Sequence, residues 1–280
     1  MRKYFITYAD GVFEESKSRL LKEAEALGEF DEIIGYGRED ITDELRNTDI
    51  INIKRGGGLW SWKPDVVYTT LNKMNENDIL VYCDSGCVLQ DSLEWKKFWF
   101  ILERYDYIAQ RIYQKTENWT RKEILDKFVS NGKFWHKFYQ FQGGILIFKK
   151  TSFTFKLIEE WRSLIINYPE LIKDVTDEER RFQHDTFIEN RHDQAIYSAL
   201  LYSKLSDNTL KSRVYVMWEH VEDYDIFNKQ AIRAARIKSS MDNEKSKMTL
   251  IIKKILKDLY KNIIVRPNDY FYRLLNKIYR

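Results

Sequence analysis

Short apolar runs alternate along this chain with longer stretches in which apolar residues recur at intervals of three and four. Runs rich in β-branched and aromatic residues predict buried strands, and the longer spacing predicts helices with one apolar face. The predicted strands cover residues 3–8, 30–36, 79–82, 107–112, 141–148 and 214–218. The predicted helices cover residues 14–27, 64–74, 92–104, 152–166 and 192–205. This alternation predicts an α/β fold, with a Rossmann-like mixed sheet flanked by helices.

Composition supports a folded chain in a reducing compartment. Of the 280 residues, 44% are hydrophobic and 15% are aromatic, which differs from the composition of disordered proteins. The two cysteines, Cys83 and Cys87, have no companion ligands nearby, so we expect buried free thiols and no zinc site. No apolar run approaches the roughly 18 residues of a membrane span, and the amino terminus does not fit a signal peptide. We therefore expect a cytoplasmic protein.

The most informative segment is the apolar strand that ends in Asp84, Ser85 and Gly86. A buried strand that delivers a carboxylate at its carboxyl end places it at the edge of an α/β sheet, where ligands bind. Gly86 allows a backbone or a ligand to approach closely. An aspartate at a strand end also forms turns and caps helices, so both interpretations are open.

Six segments follow one another in an order that is similar to a known family. They are residues 7–10 (TYAD), 54–64 (KRGGGLWSWKP), 82–86 (YCDSG), 141–145 (FQGGI), 191–194 (RHDQ) and 218–220 (WEH). Together they resemble GT-A glycosyltransferases, in particular the bacterial enzymes that build capsule and lipopolysaccharide glycans. The resemblance covers roughly residues 1–222 and implies a GT-A fold. It departs at Gly86, where the Asp-X-Asp motif of the family has its second aspartate.

The resemblance implies a binding site for a nucleotide-sugar donor. Its members would be Thr7, Tyr8, Asp10, Arg55, Lys63, Asp84, Ser85, Gln142, Gly143 and Gly144. Tyr8 would stack on the base, and the habit of the family favours uracil. Glycines at residues 143–144 would let the sugar lie against the backbone, and a simple bulge is the alternative for them.

The resemblance also implies a divalent metal ion. Asp84 and His220 would hold Mn²⁺ or Mg²⁺, since carboxylate oxygens suit both ions and a histidine is tolerated better by Mn²⁺. Because Gly86 cannot coordinate a metal, Arg55 and Lys63 are candidates for screening the diphosphate instead. A solvated loop is the alternative for these two cations, and an ordinary core or surface histidine is the alternative for His220.

Asp193 and Gln194 resemble the Asp-Gln pair of retaining transferases related to glycogenin. In those enzymes the carboxylate binds sugar hydroxyls and the amide lies on the reacting face, so the pair favours retention here. An inverting enzyme needs a carboxylate as general base, and Asp193 is also a candidate for that role. A helix N-cap is the structural alternative for Asp193.

Basic residues are concentrated near the carboxyl terminus. Residues 245–280 contain ten Lys or Arg and two Asp, so this segment carries +8 and leaves −5 on the rest of a chain whose net charge is +3. Apolar residues at helical spacing among lysines in 248–260 predict an interfacial helix on anionic lipid, and a helix packed on the body is the alternative. We expect a glycosyltransferase domain at 1–225 and a helical basic extension at 226–280, peripheral on the inner face of the cell membrane.

Three functions are open at this stage. The leading hypothesis is metal-assisted transfer of a hexose from a nucleotide sugar, UDP-linked, to a glycan or lipid-linked glycan acceptor. The alternative is a non-catalytic carbohydrate-binding or scaffold protein on a decayed transferase fold, which the missing second aspartate favours. A nucleotidyltransferase is disfavoured, because residues 9–12 do not form the glycine-rich basic loop of that class. No nucleic-acid partner is expected, since the body is acidic.

Overall fold

The structure is a computed structural model that describes residues 1–128, 138–206, 212–219 and 230–235, together with positions 255, 256, 259, 260, 263, 264, 267 and 270. Its strands are β1 (Lys3–Tyr8), β2 (Glu32–Tyr36), β3 (Ile79–Cys83), β4 (Val88–Leu89), β5 (Tyr107–Lys115), β6 (Tyr139–Phe141), β7 (Ile145–Lys149), β8 (Val214–Trp218) and β9 (Ile232–Arg233). Its helices are α1 (Glu14–Leu27), α2 (Asp43–Arg46), α3 (Gly56–Leu59), α4 (Trp62–Lys73), α5 (Glu94–Arg104), α6 (Lys122–Phe128), α7 (Ser152–Asn167), α8 (Asp177–Arg180) and α9 (His192–Ser206).

Seven of the described strands form one mixed sheet in the order β2-β1-β3-β7-β5-β6, with β8 paired to β5. β1 is parallel to β2 and β3, β7 is antiparallel to β3 and β5, and β8 is parallel to β5. Strands β1, β2, β3, β5 and β8 therefore point the same way, and their carboxyl ends share one edge. β7 starts at that edge, because Ile145 pairs with Cys83.

Helices cover both faces of the sheet. On one face α4, α7 and α9 bury an apolar cluster that includes Val67 and Trp161. On the other face α1 and α5 bury a second cluster that includes Leu20 and Phe98. Because both faces are covered, all five residues of β3 are buried, which explains its continuous apolar sequence. The predicted fold class, a mixed sheet flanked by helices, is confirmed.

The predicted strand 141–148 is two strands, β6 and β7, separated by residues 142–144. β6 pairs with the middle and the end of β5, whereas β7 pairs with the start of β5 and with β3. The glycines at 143 and 144 let the chain leave one strand and enter the next within three residues. This break places Gly143 and Gly144 at the carboxyl edge of the sheet.

The chain after β8 returns to the body of the protein. β9 pairs with β4, and Ala231 and Ile232 are buried in the second apolar cluster. The extension predicted for 226–280 thus supplies a strand that packs on the body, and the division at 225 stays a prediction. His220 and most of the basic tail lie outside the described residues. No helix among the described residues is long and apolar enough to cross a membrane. Cys83 and Cys87 are free and buried, as predicted.

Candidate active site

Residues from distant segments meet at the carboxyl edge of the sheet. Asp10 follows β1, Asp84 follows β3 and Glu219 follows β8. Gly144 precedes β7, and Asp193 lies in the first turn of α9. Ligand sites of open α/β sheets are found at this edge. The fold therefore brings residues from five of the six singled-out segments to this edge of the sheet.

Asp84 is fixed by its neighbours on the sheet. The Tyr82 hydroxyl donates a hydrogen bond of 2.6 Å to Asp84 Oδ1, and the Asp84 N–H donates one of 2.8 Å to the Gly144 carbonyl. A side chain at Gly144 would collide with this carboxylate, because an added Cβ would lie 2.7 Å from Oδ2. The Asp84 side chain is 41% exposed. Its carboxylate is thus held on one side and open to a ligand on the other.

A buried lysine lies behind Asp84. Lys63 Nζ is 2.9 Å from Asp193 Oδ2 and 3.4 Å from Asp84 Oδ1. Burial alone would lower the pKa of Lys63, but attraction to Asp193 and Asp84 outweighs it, and the pKa is raised. Burial raises the pKa of Asp193 to about 6, although Lys63 opposes the rise. One ammonium is thus shared by two carboxylates, and the charged side chains of Arg191 and Glu219 line the adjoining cavity.

A left-handed turn before α4 sets the position of Lys63. Residues 56–60 all have positive φ. Gly58 has a φ of 101°, and a Cβ there would lie 2.9 Å from the Cα of Ile51. Leu59 and Trp60 are not glycines and still have φ values of 55° and 61°. Such strained residues persist where the surrounding structure holds them, and they cluster at functional sites.

A buried ion-pair network holds α4 against its neighbours. Asp65 accepts hydrogen bonds from the N–H and the hydroxyl of Thr42, at 2.8 and 2.7 Å. It also accepts one of 2.6 Å from Arg162 Nε on α7. Arg162 in turn pairs with Glu44 of α2. The helix that carries Lys63 is therefore joined to two other helices through charged groups.

The start of α9 orients Asp193 and Gln194. The Arg191 carbonyl accepts a hydrogen bond from the Gln194 N–H, so Asp193 lies inside the first turn and is not the N-cap. Gln194 Oε1 accepts from the Gly143 N–H at 3.3 Å, and Gln194 Nε2 donates to Gln140 Oε1 at 2.8 Å. The amide of Gln194 is thus held by β6 and by the glycine pair that follows it.

These side chains border a cavity of about 390 Å³. Its wall includes Asp84, Gln142, Gly144, Arg191, Gln194 and Tyr113. The Tyr113 ring stacks on Trp218, with ring centroids 4.7 Å apart and planes 7° apart. A cavity of this volume accommodates a small ligand, and an aromatic wall opposite carboxylate and amide groups suits the two faces of a sugar.

The residues predicted to hold the base are largely packed in the core. Tyr8 is 2% exposed, and its ring stacks on Trp62 with centroids 3.9 Å apart. Its hydroxyl donates to Asp10 Oδ2 at 3.4 Å. Thr7 is fully buried. The Tyr8 ring therefore offers no open face to a base in this structure, which differs from the expectation that it would stack on uracil.

Arg55 and Ser85 lie away from the cavity wall. Arg55 Nη1 pairs with Asp174 at 2.7 Å, and the same carboxylate contacts His192 Nε2 at 3.0 Å. Burial lowers the pKa of His192, although Asp174 opposes the change. The Ser85 side chain is buried, and its carbonyl accepts a hydrogen bond from Arg19. The Arg55 guanidinium is held in an ion pair but is 45% exposed, and its role as a donor contact stays a prediction.

The described residues do not fit a divalent metal ion. Within the part of the chain that the structure describes, no three His, Cys, Asp or Glu side chains are placed to share an ion. The two carboxylates that meet, Asp84 and Asp193, already have the Lys63 ammonium between them. His220, the second predicted ligand, lies outside the described residues.

The sequence reasoning did not identify several residues that shape this site. Tyr82 lies on the same face of its strand as Asp84, and the two-residue period of a strand could have predicted that contact. Arg191 belongs to the segment 191–194 but was given no role. Gln140 and Tyr113 gave no signal, because their contacts depend on how β5, β6 and α9 come together.

No family model matches this chain, and neither does any curated protein. Solved structures do match it. A galactosyltransferase, LgtC, in complex with donor and acceptor sugar analogues is 16% identical, with 76% of this chain and 72% of that chain covered and a TM-score of 0.37. Mouse xyloside xylosyltransferase 1 is 8% identical, with 77% and 84% covered and a TM-score of 0.38. A glycosyltransferase involved in glycosylation of the major capsid of PBCV-1 is 7% identical, with 80% and 85% covered and a TM-score of 0.42.

All three of these solved structures are glycosyltransferases. Their identities are at most 16% and their TM-scores are below 0.5, so the likeness carries no argument about what this chain does. The function has to be inferred from the residues of the chain itself.

Proposed function

We propose that this chain is a GT-A-type glycosyltransferase that moves a hexose from a nucleotide sugar, UDP-linked, to a growing surface glycan. One observation carries the proposal: residues from three segments that are distant in sequence meet at one cavity. Asp84, Gly144 and Gln194 line it, and Asp193 lies directly behind them. In the transfer, the bond from the anomeric carbon to the diphosphate oxygen breaks, a bond to the acceptor oxygen forms, and the proton of that hydroxyl passes to the departing diphosphate.

The glycine pair gives a sugar access to Asp193. Asp193 Oδ2 lies 3.5 Å from the position that a Cβ on Gly143 would take, so no side chain stands between that glycine and the carboxylate. Oδ2 makes its ion pair with Lys63 but no aligned hydrogen bond among the described residues. A hexose seated against the Gly143 and Gly144 backbone would therefore offer hydroxyls to Asp193 and place its ring beside the Gln194 amide. This arrangement supports the retaining course.

The proposal is tested by measuring transfer on the full chain. UDP-, GDP- and CDP-hexoses are supplied with glycan acceptors from bacterial capsule and lipopolysaccharide, and release of the nucleoside diphosphate is followed. We expect release with one donor, and a loss of at least a hundredfold in Asp193→Asn and Gln194→Ala. Glu103→Gln, an exposed change at the end of α5, serves as the control. Equal rates in all variants would contradict the proposal.

The second candidate function is a carbohydrate-binding protein that has lost catalysis. The Lys63 ion pair with Asp193 favours it, because a carboxylate held by a buried lysine is less available as a base. Gly86 in place of the second aspartate favours it as well. Sugar binding by calorimetry, without release of nucleoside diphosphate from any donor, would establish this function and exclude the transferase.

We also propose that the basic extension attaches the protein to the inner face of the bacterial cell membrane, beside lipid-linked acceptors. Six apolar or aromatic residues described in the tail are exposed: Ile255, Leu256, Leu259, Tyr260, Ile263 and Ile264. Ten Lys or Arg in residues 245–280 match an anionic surface. Leu256→Glu with Leu259→Glu in the full chain should abolish co-sedimentation with phosphatidylglycerol vesicles. Leu93→Glu changes an even more exposed leucine outside the tail and should not.

A further inference from the structure

Lys63 occupies a specific place in the site. Its ammonium lies between the carboxylates of Asp84 and Asp193, at 3.4 and 2.9 Å, and its side chain is 4% exposed. Asp84 Oδ1 pairs with this ammonium and also accepts a hydrogen bond from the hydroxyl of Tyr82. One buried cation thus bridges the two carboxylates that meet at the carboxyl edge of the sheet.

We infer that the Lys63 ammonium is a built-in cation that takes the place of a divalent metal ion, so that the site binds its ligand without Mn²⁺ or Mg²⁺. The identity of that ligand, a nucleoside diphosphate sugar, rests on the proposed function. The exclusion of a metal ion between Asp84 and Asp193 does not rest on the proposed function. It follows from the positions of the Lys63 ammonium and the two carboxylates.

The lysine cannot easily leave this place. Its ammonium lies 5.8 Å from the ring centroids of both Trp62 and Tyr82, so the end of the side chain is bordered by aromatic rings. Its backbone belongs to α4, which the buried ion pair between Asp65 and Arg162 joins to α7. A metal ion would have to expel a cation whose surroundings are fixed on several sides.

Among the described residues, no three His, Cys, Asp or Glu side chains are placed to share a divalent ion beside the lysine. Like charges a few ångströms apart repel strongly in a site with little water. Asp84 Oδ1 and Asp193 Oδ2 are already engaged with Lys63, and Gly86, at the position of the second family aspartate, has no side chain. Lys63 is thus a positioning residue that holds both carboxylates and balances part of their charge.

Direct metal binding tests this inference without any need for activity. The full chain is stripped with EDTA, and Mn²⁺ binding is followed by electron paramagnetic resonance of the free ion. We expect no saturable Mn²⁺ binding by the unaltered protein at millimolar concentration. Lys63→Met removes the ammonium and keeps the length of the side chain, and it should bind Mn²⁺ at least tenfold more tightly. Asp84→Asn in the Lys63→Met background should abolish this gain, and Lys63→Arg should not show it.

A second measurement covers the case in which Lys63→Met does not fold. Thermal shifts of the unaltered protein with UDP, GDP and CDP are compared in EDTA and in Mn²⁺, and we expect equal shifts for the nucleotide that binds. Saturable Mn²⁺ binding that is lost in Asp84→Asn, or a shift that requires Mn²⁺, would overturn the inference. No shift with any nucleotide would instead contradict the proposed function, and the resonance measurement would still decide the metal question.

Discussion

The backbone of Gly144 lies so close to the Asp84 carboxylate that any side chain at position 144 would collide with it. A Cβ on Gly144 would lie 2.7 Å from Asp84 Oδ2, inside van der Waals contact. The obstructing atom is the free end of a short side chain, so the fold can relieve the clash by rotating the carboxylate. The orientation of the Asp84 carboxylate therefore depends on the absence of a side chain at position 144, just before β7.

Gly144→Ala should displace the Asp84 carboxylate and leave the fold intact. We expect the affinity for the nucleotide that binds to fall at least tenfold, with a change of about 1 kcal/mol or less in the free energy of unfolding. Glu103→Gln, an exposed change at the end of α5 and outside the site, is the control. Titration calorimetry and urea unfolding on both variants make the measurement. Equal losses of affinity in the two variants would refute the assigned role of Gly144.

Tyr82→Phe should also lower ligand affinity through Asp84, because it removes a hydrogen bond that orients the Asp84 carboxylate. The change removes the 2.6 Å hydrogen bond to Asp84 Oδ1 and keeps the buried ring. A hydrogen bond to a charged group contributes on the order of 1.5 kcal/mol, so we expect ligand affinity to fall about tenfold. Tyr107→Phe removes a buried hydrogen bond to Tyr197, at the opposite end of the sheet, and should cost stability without changing affinity. An unchanged affinity in Tyr82→Phe would mean that the hydroxyl does not orient Asp84 for binding.

Strands and helices whose bounds follow from the local spacing of apolar residues were predicted well. β1, β8 and α1 have the predicted bounds, because their apolar spacing and flanking polar residues are short-range signals. The division between β6 and β7 was missed, since an apolar sequence around Gly143 and Gly144 does not reveal that its two halves pair with different parts of β5. Strand pairing is a property of the whole sheet.

The grouping of the candidate site residues could be predicted from the sequence, whereas the contacts among them could not. The resemblance placed Asp84, Asp193 and Gln194 together, and the structure has them at one edge. It assigned Lys63 to a diphosphate, whereas the lysine is buried between two carboxylates. That contact joins α4, β3 and α9, so it depends on helix packing that no local pattern encodes. The stacking of Tyr8 on Trp62 was missed for the same reason.

Gly58→Ala should destabilise the protein strongly. The residue has a φ of 101°, and a Cβ there would lie 2.9 Å from the Cα of Ile51, which is backbone and cannot move aside. Strain and overpacking together should lower the free energy of unfolding by about 3 kcal/mol or more. Gly28→Ala isolates the strain, because its φ is 63° and a Cβ would meet nothing within 4 Å, so we expect a loss of about 1 kcal/mol. Urea unfolding compares the two, and equal losses would show that the turn before α4 is not tightly packed.

Asp193 should make the stability of the protein depend on pH. Burial raises its pKa from 3.8 to about 6 in the folded chain, so the folded state binds the proton more tightly than the unfolded state does. This contribution is fully present below pH 3.8 and is lost as the pH rises through about 6.

Between about pH 4 and pH 7 the unaltered protein should therefore lose up to about 3 kcal/mol relative to Asp193→Asn, at roughly 1.4 kcal/mol per pKa unit. Urea unfolding at pH 4, 5, 6 and 7 measures the difference, with Glu103→Gln as an exposed control that should keep the slope of the unaltered protein. Parallel curves for Asp193→Asn and the unaltered protein would mean that Lys63 holds Asp193 ionised throughout this range. The burial of the carboxylate would then be fully compensated by its ion pair, and desolvation would not be what sets its proton affinity.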